Sequence, residues 1–337
     1  MRKLGIGVLG VGEMGKRHAE NLRHLVPHAE LIAIADVDGA RAARVAAELE
    51  IEQSYASLDA MLEDKNIAAV VIATPDKFHA DAVKAAALAG KHVLCEKPLG
   101  LTTESAQEAL LAVQKAGVRL QVGFMRRYDP AHVAAMKQIE AGEIGEPVVF
   151  KSIGRDKDLP PIGAYQSRIN GMLFFNSTIH DFDMARWLTR DEVAEVHAFG
   201  TVAIRPEIAE FGDVVAATVN LRFRQGAIGN VESYVQSLYG YDVRTEIVGS
   251  KGSILIGSLR QNSAIFLKPN YGSYELADHF LSRFREAYLA ELVDFVNAIR
   301  SDRPPTVTGL DGLRAVEIAV AAETSLKTAA ACLVGQW

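Results

Sequence analysis

Two short segments of the chain carry side chains suited to moving protons. The first is Cys95-Glu96-Lys97-Pro98, which directly follows a short apolar run and is expected to end a parallel strand. Parallel sheets bind their ligands at the carboxyl ends of their strands. A lysine held there by a following proline can be desolvated, which lowers a lysine pKa toward the range useful for proton transfer. An ordinary surface lysine at a strand end is the alternative interpretation.

The second segment begins at Asn176 and contains His180. Histidine is the side chain best matched to acid–base chemistry near neutral pH. Ser177 or Thr178 is expected to cap a helix, in which Asn176 and His180, four residues apart, would lie on one side. The core-facing positions of that helix are Ile179, Phe182, Ala185 and Leu188. A buried histidine with a purely structural role is the alternative.

No metal site is expected. The stretch from Asn176 to Asp183 is rich in histidine and aspartate, but no second histidine or cysteine is spaced to complete a set of ligands. The other pair of histidines, His24 and His28, is interrupted by Pro27.

A glycine motif near the amino terminus predicts a dinucleotide site. Gly10-Val11-Gly12-Glu13-Met14-Gly15 fits G-x-G-x-x-G between a predicted strand and a predicted helix. Its glycines allow a tight turn, close approach of a pyrophosphate and close helix packing, and the helix N-terminus offers amide donors. Asp36 ends the second strand, 21 residues after Gly15, where a carboxylate would bind the ribose 2′-hydroxyl. Alternatively, Asp36 simply begins a turn.

The residue after Asp36 bears on the choice between the two nicotinamide cofactors. Val37 is neutral, whereas the 2′-phosphate of NADP is accommodated by an arginine nearby. We therefore expect NAD rather than NADP. Arg41 and Arg44 are close enough in the sequence to keep NADP as the alternative.

The first 124 residues supply a scaffold for these segments. Short apolar runs predict strands at Gly5–Leu9, Leu31–Ala35, Ala68–Ala73, His92–Cys95 and Leu120–Gly123. Amphipathic stretches predict helices at Glu13–Leu25, Gly39–Leu49, Ala80–Ala89 and Thr103–Ala116. Unbroken apolar strands that alternate with helices are typical of βαβ units. We therefore predict an α/β fold with a doubly wound parallel sheet.

The second part of the chain has a different pattern. Longer strand candidates such as Ala216–Phe223 and Ala227–Tyr234 are separated by turn signals, and Gly249–Gly252 predicts a further turn. We expect a largely antiparallel sheet with one face covered and one face free to pack. Two helices close the chain, Glu286–Ile299 and one that opens with the capping box Thr308–Asp311. The apolar face expected on the first is Leu289, Leu292, Val293, Val296 and Ile299.

Composition limits the classes of function. A chain of 337 residues with 49% hydrophobic and 23% charged residues suggests roughly two globular domains. The net charge of −6 offers no broad basic surface for nucleic acid. No apolar run approaches the ~18–20 residues that cross a bilayer, and no signal peptide is recognisable. Two cysteines suit a reducing compartment. We expect a cytoplasmic protein without nucleic-acid or membrane partners.

Several motifs together resemble the Gfo/Idh/MocA oxidoreductase family. They are the glycine motif with Asp36, Thr74-Pro75, Glu96-Lys97-Pro98, Gly123–Pro130 and Thr178–Asp183. The similarity covers essentially the whole chain, and the last two segments most resemble the inositol 2-dehydrogenases of that family. The resemblance implies an N-terminal Rossmann domain over residues 1–124. It also implies a C-terminal α/β domain over residues 125–337 with a large open, mostly antiparallel sheet, a substrate cleft between the domains, and a homotetramer built partly through the open sheets.

The resemblance also implies roles for individual residues. Lys97 and His180 correspond to the catalytic pair, and Arg127, Asp156 and Asn176 are expected to contact substrate hydroxyls. The expected NAD contacts are Gly10, Gly12, Glu13, Met14, Gly15, Asp36, Val37, Thr74, Pro75, His79, Glu96 and Lys97.

One position departs from the family pattern. Inositol dehydrogenases usually carry an aspartate four residues before the histidine, where this chain has Asn176. Asparagine can hydrogen-bond a hydroxyl, but it cannot stabilise a histidinium by charge. The substitution therefore bears on the pH optimum and on which polyol is preferred.

The expected reaction is NAD-dependent oxidation of a ring secondary alcohol of scyllo- or myo-inositol to the inosose. His180 would act as the general base, and Lys97 would hydrogen-bond the same oxygen. Three alternatives stay open: a dehydrogenase of a pyranose such as glucose, a non-catalytic NAD-binding regulator, and an enzyme whose tightly held NAD is an internal redox group.

Overall fold

The computed structural model describes residues 3–166, 173–257 and 259–335. The chain forms two compact units, one comprising residues 1–128 and 286–316 and the other residues 129–285 and 317–337.

Strands and helices alternate through the first 128 residues. In order they are β1 (Leu4–Leu9), α1 (Glu13–His24), β2 (Ala29–Ala35), α2 (Gly39–Glu48), β3 (Gln53–Tyr55), α3 (Leu58–Leu62), β4 (Ala69–Ile72), α4 (His79–Leu88), β5 (His92–Cys95), α5 (Thr103–Ala116) and β6 (Leu120–Val122). Each strand and helix predicted here is present, with ends within two residues of those expected. The prediction missed β3 and α3, which are too short to show a periodic pattern.

These strands form one parallel sheet in the order β3-β2-β1-β4-β5-β6. The strand order reverses between β1 and β4, and this is the point at which open α/β sheets bind ligands, outside the carboxyl ends of the strands. The predicted doubly wound parallel sheet is therefore confirmed. It places the ends of β1, β2, β4 and β5, which carry the predicted cofactor contacts, along the same edge of the sheet.

The remaining chain contributes strands and helices of both units. They are α6 (Pro130–Glu140), β7 (Pro147–Asp156), α7 (Ile162–Gln166), α8 (Ile179–Thr189), β8 (Val193–Thr201), β9 (Ala216–Phe223), β10 (Ile228–Val235), β11 (Asp242–Gly249), β12 (Ser253–Ile256), β13 (Phe266–Lys268), β14 (Tyr271–Ser273), α9 (Phe280–Arg283), α10 (Arg285–Arg300), α11 (Gly309–Thr328) and β15 (Cys332–Leu333). The predicted turns between β9 and β10 and between β11 and β12 are present.

The second unit is built on a mixed sheet in the order β12-β11-β7-β10-β9-β8-β15. Its strands pair antiparallel except for β7 and β10, which are parallel. Buried and exposed positions alternate along β9 and β10, and α8 packs on β7 and β10. The expectation of a mostly antiparallel sheet with one covered face is therefore confirmed.

Helix α10 belongs to the first unit, although the predicted boundary after residue 124 places it in the second domain. Its residues Leu292 and Phe295 are fully buried in one cluster with Ile6 of β1 and Val71 of β4. The sequence shows that this helix has an apolar face, but it cannot show which sheet that face covers. Residues 286–316 are therefore an exception to the predicted split.

The capping box predicted at the start of α11 is present. Asp311 accepts hydrogen bonds from the main-chain N–H and the hydroxyl of Thr308, at 2.8 and 2.7 Å, and its own N–H points back to that hydroxyl at 3.4 Å. This pairing fixes the direction in which α11 begins.

Within the described ranges, no helix combines the length and the apolar character that crossing a bilayer demands.

Candidate active site

The loop between β1 and α1 has the conformation that the glycine motif predicts. Gly10 has a φ of +82°, and a Cβ there would lie 2.7 Å from the carbonyl oxygen of Ala73. A Cβ on Gly15 would lie only 1.7 Å from the carbonyl oxygen of Gly10. Both glycines are therefore required by the protein's own packing.

Gly12 is different, because a Cβ there would meet no described atom within 4 Å. Gly12 is the N-cap residue of α1. Within the described structure, no side chain accepts a capping hydrogen bond from the main-chain N–H groups that begin this helix. The main-chain N–H groups of the first turn are thus donors for an anion, favoured further by the helix dipole. Internal packing does not require glycine at this position, whereas close approach of a pyrophosphate does.

Asp36 follows β2 directly and is 6% exposed. Its carboxylate accepts hydrogen bonds from the N–H groups of Val11 and Asp38, both at 2.9 Å. These two bonds orient the side chain, and a carboxylate has further acceptor positions for ribose hydroxyls. The neighbouring Val37 is 94% exposed and so is not held by the core. The arrangement fits the dinucleotide that the sequence predicts.

His79 joins the loops that follow β4 and β5. Its Nε2 lies 2.8 Å from the carbonyl oxygen of Thr74, and its Nδ1 lies 2.7 Å from that of Pro98. Carbonyl oxygens only accept, so both bonds form together only when both ring nitrogens carry protons. The ring is buried, which gives His79 a structural task between two segments of the candidate site. Its direct contact with the cofactor, like that of Thr74 and Pro75, stays a prediction.

Lys97 is half-buried and lies two residues beyond the end of β5, at the ligand-binding edge of the parallel sheet. The preceding Glu96 is buried, and its Oε1 lies 2.7 Å from Nε2 of His18 in α1. Burial opposes ionisation of Glu96, but the hydrogen bond and charge of His18 and the charge of Lys97 outweigh it and lower the pKa of Glu96. A buried carboxylate therefore precedes the predicted catalytic lysine in the chain and is stabilised by its charge.

Arg127 lies in a short 3₁₀ turn, Met125–Tyr128, that follows β6. It is 6% exposed, and its guanidinium donates to Asp311 at 2.9 Å. Asp311 also forms the capping box of α11 with Thr308, so the pair ties the turn to the start of that helix. The predicted contact of Arg127 with substrate stays a prediction.

In the second unit, the predicted site residues Asp156, Asn176 and His180 lie on adjoining segments. Asp156 ends β7, and its carboxylate accepts a hydrogen bond from the hydroxyl of Ser177 at 2.5 Å. Asn176 and Ser177 belong to a π-helical turn, Leu173–Thr178, that leads into α8. His180, the second residue of α8, is 7% exposed. Single π turns are frequent at functional sites.

The expectation that Ser177 or Thr178 caps α8 is wrong. Thr178 is the N-cap residue, but no capping bond to its side chain occurs within the described chain. Its hydroxyl instead donates to the carbonyl oxygen of Leu173 and contacts the Ser233 hydroxyl, both at 2.9 Å. Because α8 continues from a helical turn, it does not start with the exposed N–H groups that a cap satisfies. The predicted core positions of α8, Ile179, Phe182, Ala185 and Leu188, are all fully buried.

The chain matches known proteins along nearly its whole length. A family model described as an oxidoreductase family with an NAD-binding Rossmann fold matches residues 4–124, and one described as the GFO/IDH/MocA C-terminal domain matches residues 132–255. The scyllo-inositol 2-dehydrogenase (NAD(+)) of Bacillus subtilis (strain 168) is 40% identical over 320 residues, which are 95% of this chain and 93% of that relative. The chain belongs to the Gfo/Idh/MocA oxidoreductase family.

Further relatives agree with this membership. The myo-inositol 2-dehydrogenase of Thermotoga maritima is 39% identical over 324 residues, which are 96% of each chain. The crystal structure of scyllo-inositol dehydrogenase from Lactobacillus casei with bound NAD(H) and scyllo-inositol has a TM-score of 0.93 and 29% identity, and the match covers 99% of this chain and 100% of that one. The predicted family, the α/β fold class, the oxidoreductase class and NAD as cofactor are thereby confirmed.

Two residues of this Gfo/Idh/MocA protein that bear on the site were missed by sequence reasoning. His18 and Glu291 are completely buried and lie beside Glu96. A signal for Glu291 exists, because it shares the helical spacing of the buried residues Tyr288, Leu292 and Phe295. His18 carries the same kind of signal, since it shares the helical spacing of the buried residues Gly15 and Leu22 in α1.

Proposed function

We propose that this chain is an NAD-dependent inositol 2-dehydrogenase that oxidises a ring secondary alcohol of scyllo- or myo-inositol to the corresponding inosose. The observation that carries the proposal is its 40% identity, over 95% of its length, to a relative named scyllo-inositol 2-dehydrogenase (NAD(+)). A relative named myo-inositol 2-dehydrogenase is nearly as similar, at 39% identity, so both epimers are candidate substrates.

In the proposed reaction, His180 accepts the proton of the reacting hydroxyl. Lys97 hydrogen-bonds the same oxygen and shares in relaying the proton. When bound, NAD⁺ accepts the hydride that leaves the ring carbon. The carbon thus loses its C–H electron pair while the protein takes the hydroxyl proton, and a ketone remains. The half-buried position of Lys97 next to the buried Glu96 supports this role.

The remaining hydroxyls of the ring are proposed to bind Arg127, Asp156 and Asn176. A site built from hydrogen-bonding groups rejects an epimer that leaves those groups unpaired. Asp156 already accepts one hydrogen bond from Ser177 and can accept more. Asn176 can donate as well as accept, so it is proposed to distinguish this chain's epimer preference from that of relatives with aspartate.

The test is NADH formation with a panel of inositol epimers and pyranoses, with NAD⁺ and NADP⁺ compared side by side. We expect strong activity with NAD⁺ on scyllo- or myo-inositol. Activity confined to a pyranose such as glucose would show that the substrate is a sugar and not an inositol. Intact NAD binding without turnover of any polyol would favour a regulator, and turnover without net NADH would favour an internal redox group.

We also propose that the protein acts in the cytoplasm and forms a homotetramer there. The uncovered face of the second sheet is the proposed contact surface. Phe199 pairs with Thr218 of β9, and Ile228 pairs with Arg222 of the same strand. Thr218 and Arg222 are four residues apart on β9, so these pairs share one face. Phe199 and Ile228 are each 56% exposed, as apolar contact residues would be in an isolated chain. Light scattering of the purified protein should give four times the mass of one chain.

A further inference from the structure

Three buried titratable side chains from separate elements meet around Glu96. Nε2 of His18 in α1 lies 2.7 Å from Oε1 of Glu96. Glu291 of α10 is the third member, and one nitrogen or oxygen atom from each residue lies within 4.8 Å of the others. His18 and Glu291 are completely buried, and Glu96 is 7% exposed. We refer to these three residues as the Glu96 cluster.

The position of Glu96 in this cluster is tightly defined. One carboxyl oxygen is held by His18. The other lies close to Gly123 at the end of β6, where an added Cβ would be only 2.9 Å from Oε2. Any larger residue at Gly123 would therefore press on the carboxylate and disturb the position of Glu96.

Glu291 is in an unusual environment for a carboxyl group. Neither of its carboxyl oxygens has a hydrogen-bond partner among the described residues, while its main-chain carbonyl accepts from the side chain of Gln121 at 2.8 Å. A buried carboxylate without donors is strongly disfavoured, and a second negative charge next to Glu96 is disfavoured further. Burial accordingly raises the pKa of Glu291 well above its usual value, and the charge of Glu96 raises it more.

Glu96 is in the opposite situation. Although its burial raises its pKa, the hydrogen bond and charge of His18, the charge of Lys97 and that of His79 in α4 together lower it. Further titratable groups near the cluster, among the described residues, include Cys95, Tyr128 and Tyr288. Burial raises the pKa of Cys95 and of Tyr128 well above their usual values, so both are neutral, and Tyr288 packs edge-on against the His18 ring.

We propose that His18 and Glu291 are positioning residues: Glu291 keeps its proton, so that Glu96 is the one anion of the cluster and holds Lys97 protonated at the carboxyl end of β5. The inference rests on the proposed catalytic role of Lys97. No bond is made or broken in the cluster. Its task is to fix one protonation state beside the lysine, because an opposite charge nearby favours the charged form of a lysine.

The first test is infrared spectroscopy of the full-length protein and of Glu291→Gln at neutral pH. The carbonyl stretch of a protonated carboxylic acid is separate from the bands of a carboxylate. We expect the acid band in the wild-type protein and its loss in the variant. Carboxylate bands in the difference spectrum would show that Glu291 is ionised and would overturn the proposal. This measurement does not depend on turnover, so it fails or succeeds independently of the proposed dehydrogenase activity.

The second test is the pH profile of kcat/KM for Glu96→Gln and Glu291→Gln. Without the Glu96 charge, the alkaline limb that reports Lys97 should move to lower pH by about one unit. In Glu291→Gln, whose amide resembles the protonated acid, that limb should keep its wild-type position. A limb that stays in place in Glu96→Gln, or moves equally in both variants, contradicts the proposal. A stoichiometric divalent cation whose removal abolishes activity would also overturn it, since Glu291 would then be an ionised ligand.

Discussion

Nη1 of Arg41 lies 3.8 Å from Oδ2 of Asp36, the carboxylate that follows β2. The same guanidinium donates to Asp38 at 3.3 Å. An aspartate, the residue type that binds the ribose 2′-hydroxyl of NAD, therefore lies next to an arginine, the residue type that binds the 2′-phosphate of NADP. We therefore predict that the preference between the two cofactors depends on the Asp36 carboxylate.

Replacing Asp36 by alanine should transfer preference from NAD⁺ to NADP⁺. Loss of charge-assisted hydrogen bonds to the ribose should lower kcat/KM for NAD⁺ about tenfold or more. The kcat/KM for NADP⁺ should rise, because Arg41 is released to meet a phosphate. The double variant Asp36→Ala/Arg41→Ala is the matched control and should lose that gain. Steady-state kinetics with both cofactors measures the result, and unchanged selectivity in Asp36→Ala would contradict the assignment.

Two glycines of the same motif should respond differently to alanine. Gly12→Ala should change the free energy of unfolding by less than about 0.5 kcal/mol, because its Cβ meets open space in the described structure, yet weaken NAD binding at least about tenfold. Gly10→Ala should destabilise the protein by about 1–3 kcal/mol because of its positive φ and its contact with Ala73. Thermal unfolding and calorimetric titration with NAD⁺ measure both effects. Equal loss of stability in the two variants would show that Gly12 serves packing alone.

Removing either proposed catalytic side chain should reduce turnover without unfolding the protein. We expect kcat for Lys97→Ala and for His180→Ala to fall about 10²-fold or more, in line with the usual contribution of acid–base catalysis. Lys115→Ala and His24→Ala are matched controls, since both residues are exposed on helices. Near-wild-type kcat in either test variant would remove that residue from the mechanism.

The second unit contains a buried ion pair that predicts acid sensitivity. Asp129 caps α6, contacts His132 at 2.7 Å and accepts from Arg283 at 2.8 Å. Burial opposes its ionisation, but the hydrogen bonds from His132 and Arg283 outweigh that and hold the pKa of Asp129 well below its usual value. A lowered folded-state pKa gives stability that is present above the unfolded pKa of about 4 and is lost as the pH falls below it.

Asp129→Asn should therefore lower the free energy of unfolding by about 2–3 kcal/mol at neutral pH. The difference from the wild type should shrink as the pH falls below about 4, because the carboxylate of the unfolded wild type then takes up a proton while that of the folded protein stays ionised. Urea unfolding over a pH series checks this expectation. A difference that is independent of pH would mean that the ionised form of Asp129 contributes no stability.

Local patterns in the sequence were sufficient for much of the first unit. Apolar runs and glycines located β5 at His92–Cys95 and the turn at Gly10, because both depend on neighbouring residues. Lys97 was placed correctly at a strand end for the same reason. The resemblance to a known family added the prediction that Lys97 and His180, which no local pattern connects, form a catalytic pair.

Features formed by distant residues could not be predicted. The apolar face expected for α10 is confirmed, because Leu292 and Val296 are fully buried and the other expected positions pack partly buried on the same cluster. Tyr288 and Glu291 are buried as well. A glutamate is normally counted as polar, so the apolar pattern alone did not include Glu291 in the buried face. The ion pair of Arg127 with Asp311 joins residues 184 positions apart and leaves no local trace.

The return of α10 to the first unit also affects how the chain can fold during synthesis. The cluster around Ile6 includes Leu292 and Phe295, so it is incomplete until these residues have left the ribosome. The 157 residues between the two segments of this unit, 129–285, take roughly 8–30 s to synthesise at typical rates. During that interval the nascent sheet exposes the apolar surface that α10 later covers. The nascent chain should therefore be most prone to aggregation, and most dependent on chaperones, before residue 300 emerges.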